Sequence, residues 1–216
     1  MDKNKLKILI SAIFCIVAGV SVSAQISGEP KRVLDACASA IRKSGNIKAA
    51  FEIEQFSNQQ SQGSTSGTVC VNGNKYYIDG GNTKIWYDGK TQWSYSSATN
   101  EVNVSSPTKA EAAKMNPYSF IYLYERGYQA TMSDATVRGK NCKEVQLSSH
   151  TRGNLRYVYL SIDKATNMPI CIRVSSNGKD WARISIYEIK KNQKFSSGTF
   201  RFPSGDFPNA ETIDLR

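Results

Sequence analysis

Hydrophobic and polar positions alternate along most of this chain with a period of two, and the exceptions are few and local. In "NIKAAFEIEQF", Ile47, Ala49, Phe51 and Ile53 alternate with Lys48, Ala50, Glu52 and Glu54. That spacing predicts a strand with one buried and one wetted face. Short runs follow at "TVCVN", "KYYID", "KIWY", "TQWSY" and "EVNVS", separated by Gly, Asn and Asp; after Gly127 they return near "ATMSDATV", "KEVQLSS", "LRYVYLSID", "PICIRVSS" and "ARISIYEI". Close spacing with turn residues between runs argues for an antiparallel meander rather than parallel strands linked by helices. The polar stretch "SNQQSQGSTSG" has no such alternation and reads as a mobile loop, while "GTFRFPSGDFPNAETIDLR" is too rich in Pro and Gly for a long element.

Two segments follow the helical period instead. "EPKRVLDACASAIRKSG" places Val33, Leu34, Cys37, Ala40 and Ile41 on one face and stops at Gly45. "SPTKAEAAKMNPYSFIYLYERGY" offers Thr108 with Glu111 as a capping box and Asn116 before Pro117 as a second helix start. On that second helix Phe120, Leu123 and Tyr124 share a face, with Ile121 alongside. The fold class is therefore mainly β with α: an open antiparallel half-barrel of about ten or eleven strands whose concave face is covered by two or three helices.

The first residues, "MDKNKLKILISAIFCIVAGVSVSAQ", carry lysines, then an apolar run, then small residues Val22 and Ala24. This is the pattern of a secretory signal peptide, residues 1–24, cleaved after Ala24. The alternative, a retained anchor, needs a run of about 20 apolar residues, longer than this one. Bulky Phe14 before Cys15 argues against lipid attachment there. Residues 25–216 then form a single exported domain, expected in the periplasm. Its formal charge falls from +10 to +8 with the loss of three lysines and one aspartate. Such an excess attracts acidic headgroups or nucleic acid. Export argues against nucleic acid, and without a block of like charges the excess is equally a scattered soluble surface. Cys37, Cys70, Cys142 and Cys171 allow three disulfide pairings or remain buried thiols; none has zinc-ligand spacing, and no cofactor is implied.

The stretch "KIWYDGKTQWSY" concentrates aromatic surface around Asp88-Gly89. Read as a two-residue turn, it pairs Trp86 with Thr91 and Lys84 with Trp93. Trp86, Trp93 and Tyr95 then share one face, with the two indoles as diagonal neighbours. Such rings either fill a core or line an apolar cavity enclosed by a curved sheet.

At this hairpin the sequence resembles a family. "WYDGKTQWSY" is similar to the W-x-DGK-x-x-W-x-Y stretch of LolA-type periplasmic lipoprotein carriers, and "GTFRFPSGDFPNAETID" to their closing segment. The signal peptide, first helix, "AAFEIEQF", "GTVCVNGNKYYI" and "NPYSF" fall in the same order, so the resemblance covers nearly all of residues 25–216. It implies a hydrophobic cavity for the acyl chains of lipoproteins or a diacyl lipid. It further implies loading by an inner-membrane lipoprotein-releasing transporter, delivery to an outer-membrane acceptor, and a monomer. The cavity lining implied is Phe51, Ile53, Trp86, Trp93, Tyr95, Phe120, Leu123 and Tyr124. Where proteobacterial members carry an Arg-Pro pair, "NGNKYY" has Lys75 as its only nearby cation. A lysine lacks the planar fork of donors with which that arginine holds the lid.

Two other classes compete. A sensor of mislocalised lipoproteins could use the same fold and signal to a protein partner. An enzyme has less support: His150 in "SSHTRGN" is the only histidine and has no identifiable nucleophile or orienting acid. No glycine-rich phosphate loop joins a strand to a helix. Arg173 and Arg183, in late strands, fit either a cavity rim or a wet outer face.

Overall fold

The computed structural model describes residues 28–108, 111–112, 119, 121, 123, 127–149 and 155–216. The leader with its cleavage position, the Asn116–Pro117 helix start, Phe120, Tyr124 and His150 lie outside the described residues.

Helix α1 spans Glu29–Lys43 and buries Leu34, Cys37, Ala38 and Ile41, one stripe at helical spacing. Lys31 and Asp35, one turn apart, pair at 2.6 Å, and Arg42 and Lys43 complement the negative end of the helix dipole. Two residues beyond, Gly45 takes φ +62°, and a Cβ there would stand 2.7 Å from Asn192 Oδ1. The left-handed backbone favours glycine there, and a larger residue would also have to displace the Asn192 side chain.

Twelve strands follow: β1 Ile47–Ser57, β2 Gln60–Asn72, β3 Lys75–Asp79, β4 Thr83–Tyr87, β5 Gln92–Ser96, β6 Glu101–Ser105, β7 Gln129–Val137, β8 Lys140–Ser148, β9 Tyr157–Asp163, β10 Pro169–Ser175, β11 Asp180–Lys190 and β12 Glu211–Asp214. They form one sheet in the order β12-β6-β5-β4-β3-β2-β1-β11-β10-β9-β8-β7. The order is linear, so β7 and β12 are its edges. β12 runs parallel to β6, with Ile213 beside Asn103.

Three expectations are corrected. The stretch read as a mobile loop is a hairpin end: Asn58 and Gln59, at φ 47° and 70°, form a tight turn, and β2 begins at Gln60. Serine and glutamine there leave no hydrophobic alternation to signal a strand. The closing segment contributes β12, giving twelve strands. Among the described residues one complete α-helix is present rather than two or three; of the middle segment Glu111 and Ala112 are helical, the capping box forms, and most of the rest lies outside the described residues. The Thr108 N–H and hydroxyl each donate to Glu111 Oε2 at 2.8 Å, and the Ala112 N–H reaches the Thr108 carbonyl at 2.8 Å.

The chain divides into two compact units. The first takes the described residues of 1–43, 53–64 and 117–186; the second takes 44–52, 65–116 and 187–216. In the first unit β8, β9 and β10 align Val145, Leu160 and Ile172 in one row and Leu147, Val158 and Val174 in the next. These side chains are buried, and α1 lies on β7 and β8 of this unit. The opposite face carries Gln146, Tyr159, Arg173 and Arg183 in register. In the second unit β3 to β6 align Tyr77, Trp86, Trp93 and Val104. Cys37, Cys70, Cys142 and Cys171 are free and buried, so the thiol alternative holds over a disulfide framework. Burial pushes the Cys37 thiol up to about 12.

Candidate functional site

The aromatic hairpin lies in the second unit with a different register from the one its sequence suggests. Trp86 pairs directly with Trp93, Ile85 with Ser94 and Lys84 with Tyr95. The connection is longer because Asp88 folds it: Asp88 Oδ1 accepts the Lys90 N–H at 3.0 Å and the Thr91 N–H at 2.9 Å. Such a side-chain turn takes up residues that a two-residue loop would leave in the strands. Trp86, Trp93 and Tyr95 do share a face, as cross-strand partners and i,i+2 neighbours.

That face is covered by the chain's own closing segment. Phe202 packs edge-on to Trp86 at 5.4 Å, Phe207 lies 6.0 Å from Trp86 and 4.5 Å from Tyr95, and the two phenylalanines stack at 5.2 Å. Tyr77 stacks on the remaining side of Trp86 at 5.3 Å. Trp86 is thereby left 4% exposed, while Trp93 and Tyr95 are half-buried. Beside these rings Asp79 accepts hydrogen bonds from Lys84, from Tyr77 at 3.1 Å and from the Gly81 N–H at 3.1 Å. Burial works against the Asp79 charge, but these three donors outweigh it and hold the carboxyl below its ordinary range. Burial and Asp79 together push the Tyr77 hydroxyl up to about 12.

The remaining sequence candidates are dispersed. Phe51, half-buried in the second unit, lays its ring where a Cβ on Gly67 would be, 2.6 Å away. Ile53 is half-buried in the first unit, and Leu123 there is 1% exposed. Arg173 and Arg183 lie on the face of the first unit opposite the packed rows. Arg173 pairs with Glu144 at 3.0 Å and covers the Tyr159 ring at 4.5 Å; Arg183 pairs with Glu54 and covers Phe56 at 5.0 Å. Lys75 is exposed and makes no ion pair among the described residues.

Sequence reasoning missed a cleft of about 460 Å³ in the first unit, within the ~300–1,000 Å³ usual for small-molecule sites. Two turns frame it, the β1–β2 turn and the β10–β11 turn. They are tied together by Ser57 Oγ donating to Asp180 Oδ1 at 2.7 Å and the Asn58 N–H donating to the Lys179 carbonyl at 3.2 Å. Its apolar lining is Phe56, Leu155, Val174, Trp181 and Ala182. Gln55, Asn58, Gln60 and Gln62 add amides, and among the described residues no cationic side chain lines it. Asp180, the one acid in the lining, also accepts from Asn177 at 2.7 Å, and these two hydrogen bonds keep its carboxyl below the ordinary range. The arrangement suits a largely apolar, uncharged guest with a few hydrogen-bonding atoms. Trp181, stacked on Tyr157 at 6.1 Å, is a fixed wall of it. These amides carry no sequence signal for binding: Asn58, Gln60 and Gln62 come from the stretch that reads as a loop, and Gln55 from the end of an alternating strand.

Among the described residues no group of three His, Cys, Asp or Glu side chains is placed to hold a metal ion, and no helix is long and apolar enough to cross a membrane. Residues 20–178 match the sequence profile of the family described as "Outer membrane lipoprotein carrier protein LolA". The chain belongs to the LolA family. No curated protein matches it. An uncharacterized conserved protein of Thermus thermophilus aligns with TM-score 0.57 at 13% identity, over 85% of this chain and 98% of its own. A chain from the MucA/MucB complex of Pseudomonas aeruginosa aligns with TM-score 0.50 at 13% identity, over 82% of this chain and 62% of its own. A LolA superfamily protein of Nitrosomonas europaea aligns with TM-score 0.40 at 8% identity, over 82% of this chain and 99% of its own.

Proposed function

We propose that residues 25–216 act in the periplasm as a non-catalytic carrier that shelters the acyl chains of lipoproteins, or of a related diacyl lipid, on the way to the outer membrane. The observation that carries this reading is the LolA-family match over residues 20–178. The cleft, with Phe56, Leu155, Val174, Trp181 and Ala182 in its lining, supports it as a guest site. An acyl chain of roughly sixteen carbons prefers an apolar site to water by about 12 kcal/mol, at ~0.8 kcal/mol per CH₂, so it does not cross water unsheltered. A site that matched the membrane's affinity and sealed completely would neither load nor empty under small differences in binding energy. A partly open cleft with a polar rim suits exchange better. Loading would come from an inner-membrane lipoprotein-releasing transporter and unloading at an outer-membrane acceptor.

Tryptophan emission during titration with a purified lipoprotein or a diacyl lipid tests the proposal. A saturable change is expected; silence of the emission, with no lipid co-purifying, overturns it. The likeness to a chain of the MucA/MucB complex motivates a second reading, in which the same fold detects lipid and reports to a protein partner. A stable periplasmic partner recovered by pull-down favours sensing, whereas short-lived lipid-loaded complexes favour carriage.

A further inference from the structure

Gln60–Ser64, the first five residues of β2, have a strand neighbour on one side only among the described residues. β3 pairs with β2 between Asn72 and Thr68 and goes no further, while β1 runs along the other side. The tight turn at Asn58 and Gln59 makes Ser57 and Gln60 its flanking, hydrogen-bonded pair. In an antiparallel ladder the intervening residues then aim their N–H and C=O groups outward, so Ser61 and Gly63 present a donor and an acceptor each to the open side. All five residues are exposed, and none is the lysine, arginine or proline with which an edge is commonly guarded. A row of donors and acceptors at strand spacing complements one chemical object, another extended backbone.

The cleft adjoins this edge, with Gln60 and Gln62 in its lining and Leu155, Val174 and Trp181 supplying apolar surface. None of its described lining residues is cationic, and the charged one, Asp180, repels a phosphate. An apolar hollow beside an open strand edge fits a guest in which an acyl group is followed at once by polypeptide. We propose that the open edge of β2 receives, as an added strand, the peptide that follows the acylated cysteine of a lipoprotein, while the acyl group enters the adjoining cleft. The inference rests on the carrier reading and names the part of the cargo that separates lipoproteins from bulk phospholipid. Backbone pairing tolerates many side chains, which suits a carrier of varied cargo. Gly63, at φ +117°, kinks the edge and limits the length of flat pairing, favouring a short peptide over the strand of a second copy.

The test uses the mature chain with two probes, a synthetic dipalmitoylglyceryl-cysteinyl hexapeptide and peptide-free dipalmitoylglycerol, and reads residue-resolved amide exchange. The hexapeptide should slow exchange at Ser61 and Gly63 at least about tenfold, and dipalmitoylglycerol should not. Ser61→Pro, which removes an outward N–H and leaves the bonds to β1, should weaken the hexapeptide about fivefold relative to dipalmitoylglycerol. Hexapeptide binding with both amides still exchanging freely overturns the inference and leaves the carrier reading standing. Protection already present in the free protein, or growing with protein concentration alone, gives the edge to this chain or to a second copy and also overturns it. Failure of both probes to bind removes the carrier reading and the inference together.

Discussion

Gly67 sits in the second unit where a side chain has no room. A Cβ there would stand 2.1 Å from the Asp79 carbonyl oxygen and 2.6 Å from the Phe51 ring. Gly67→Ala should cost about 1–3 kcal/mol, the usual range for overpacking, measured as a lower urea midpoint. Asp163 sets a pH dependence in the first unit. Burial by itself would raise its carboxyl, but the Ala165 N–H at 2.9 Å, the Thr166 hydroxyl at 3.0 Å and Lys140 at 3.5 Å outweigh burial and lower it. A carboxyl depressed by folding stabilises the protein above its unfolded value of about 4, and that contribution is lost as pH falls through the folded value. Urea midpoints should therefore drop below about pH 4, and the drop should be smaller in Asp163→Asn. Cys37, Cys70, Cys142 and Cys171 should be unreactive toward Ellman's reagent in the native protein and fully reactive in denaturant, since all four are buried thiols. None of these roles is written in the residue itself. Gly67 looks like any strand glycine until Phe51 is brought across from β1.

At the scale of elements, what was legible followed the chain's own periodicity. Helix α1, its glycine stop, the capping box at Thr108 and the alternating strands depend on neighbours within a few residues, and they formed. What was not legible depended on distant partners or on turn chemistry. The register at Trp86 and Trp93 turned on which backbone groups Asp88 engages. Strand β12 exists because Glu211–Asp214 finds β6, about a hundred residues earlier in the chain. The same closing segment delivers Phe202 and Phe207 onto the aromatic hairpin. Phe207→Ala should uncover Trp86 and Tyr95, shift tryptophan emission to the red and cost about 2–3 kcal/mol, at or below the low end of the ~3–5 kcal/mol usual for aromatic truncation because Phe207 is half-buried.

At the scale of the whole molecule, the family and the mainly β architecture were legible, and the cleft was not. Its walls come from Phe56, Leu155, Val174 and Trp181, far apart in sequence and brought together only by the pairing of β1, β11, β10 and β9. Of three tryptophans, Trp86 is sealed beneath phenylalanines and Trp181 lines the cleft. Trp181→Phe should abolish most of the emission response to a diacyl lipid; a response kept in full in that variant would move the guest to the hairpin. The central claim is that this chain holds acyl groups. Mass spectrometry of the organic extract of the protein, purified from the periplasm, tests it most directly. Acyl-bearing lipid or lipopeptide at near-stoichiometric amounts is the predicted result. Acyl species no more abundant than in an unrelated periplasmic protein carried through the same purification would contradict it.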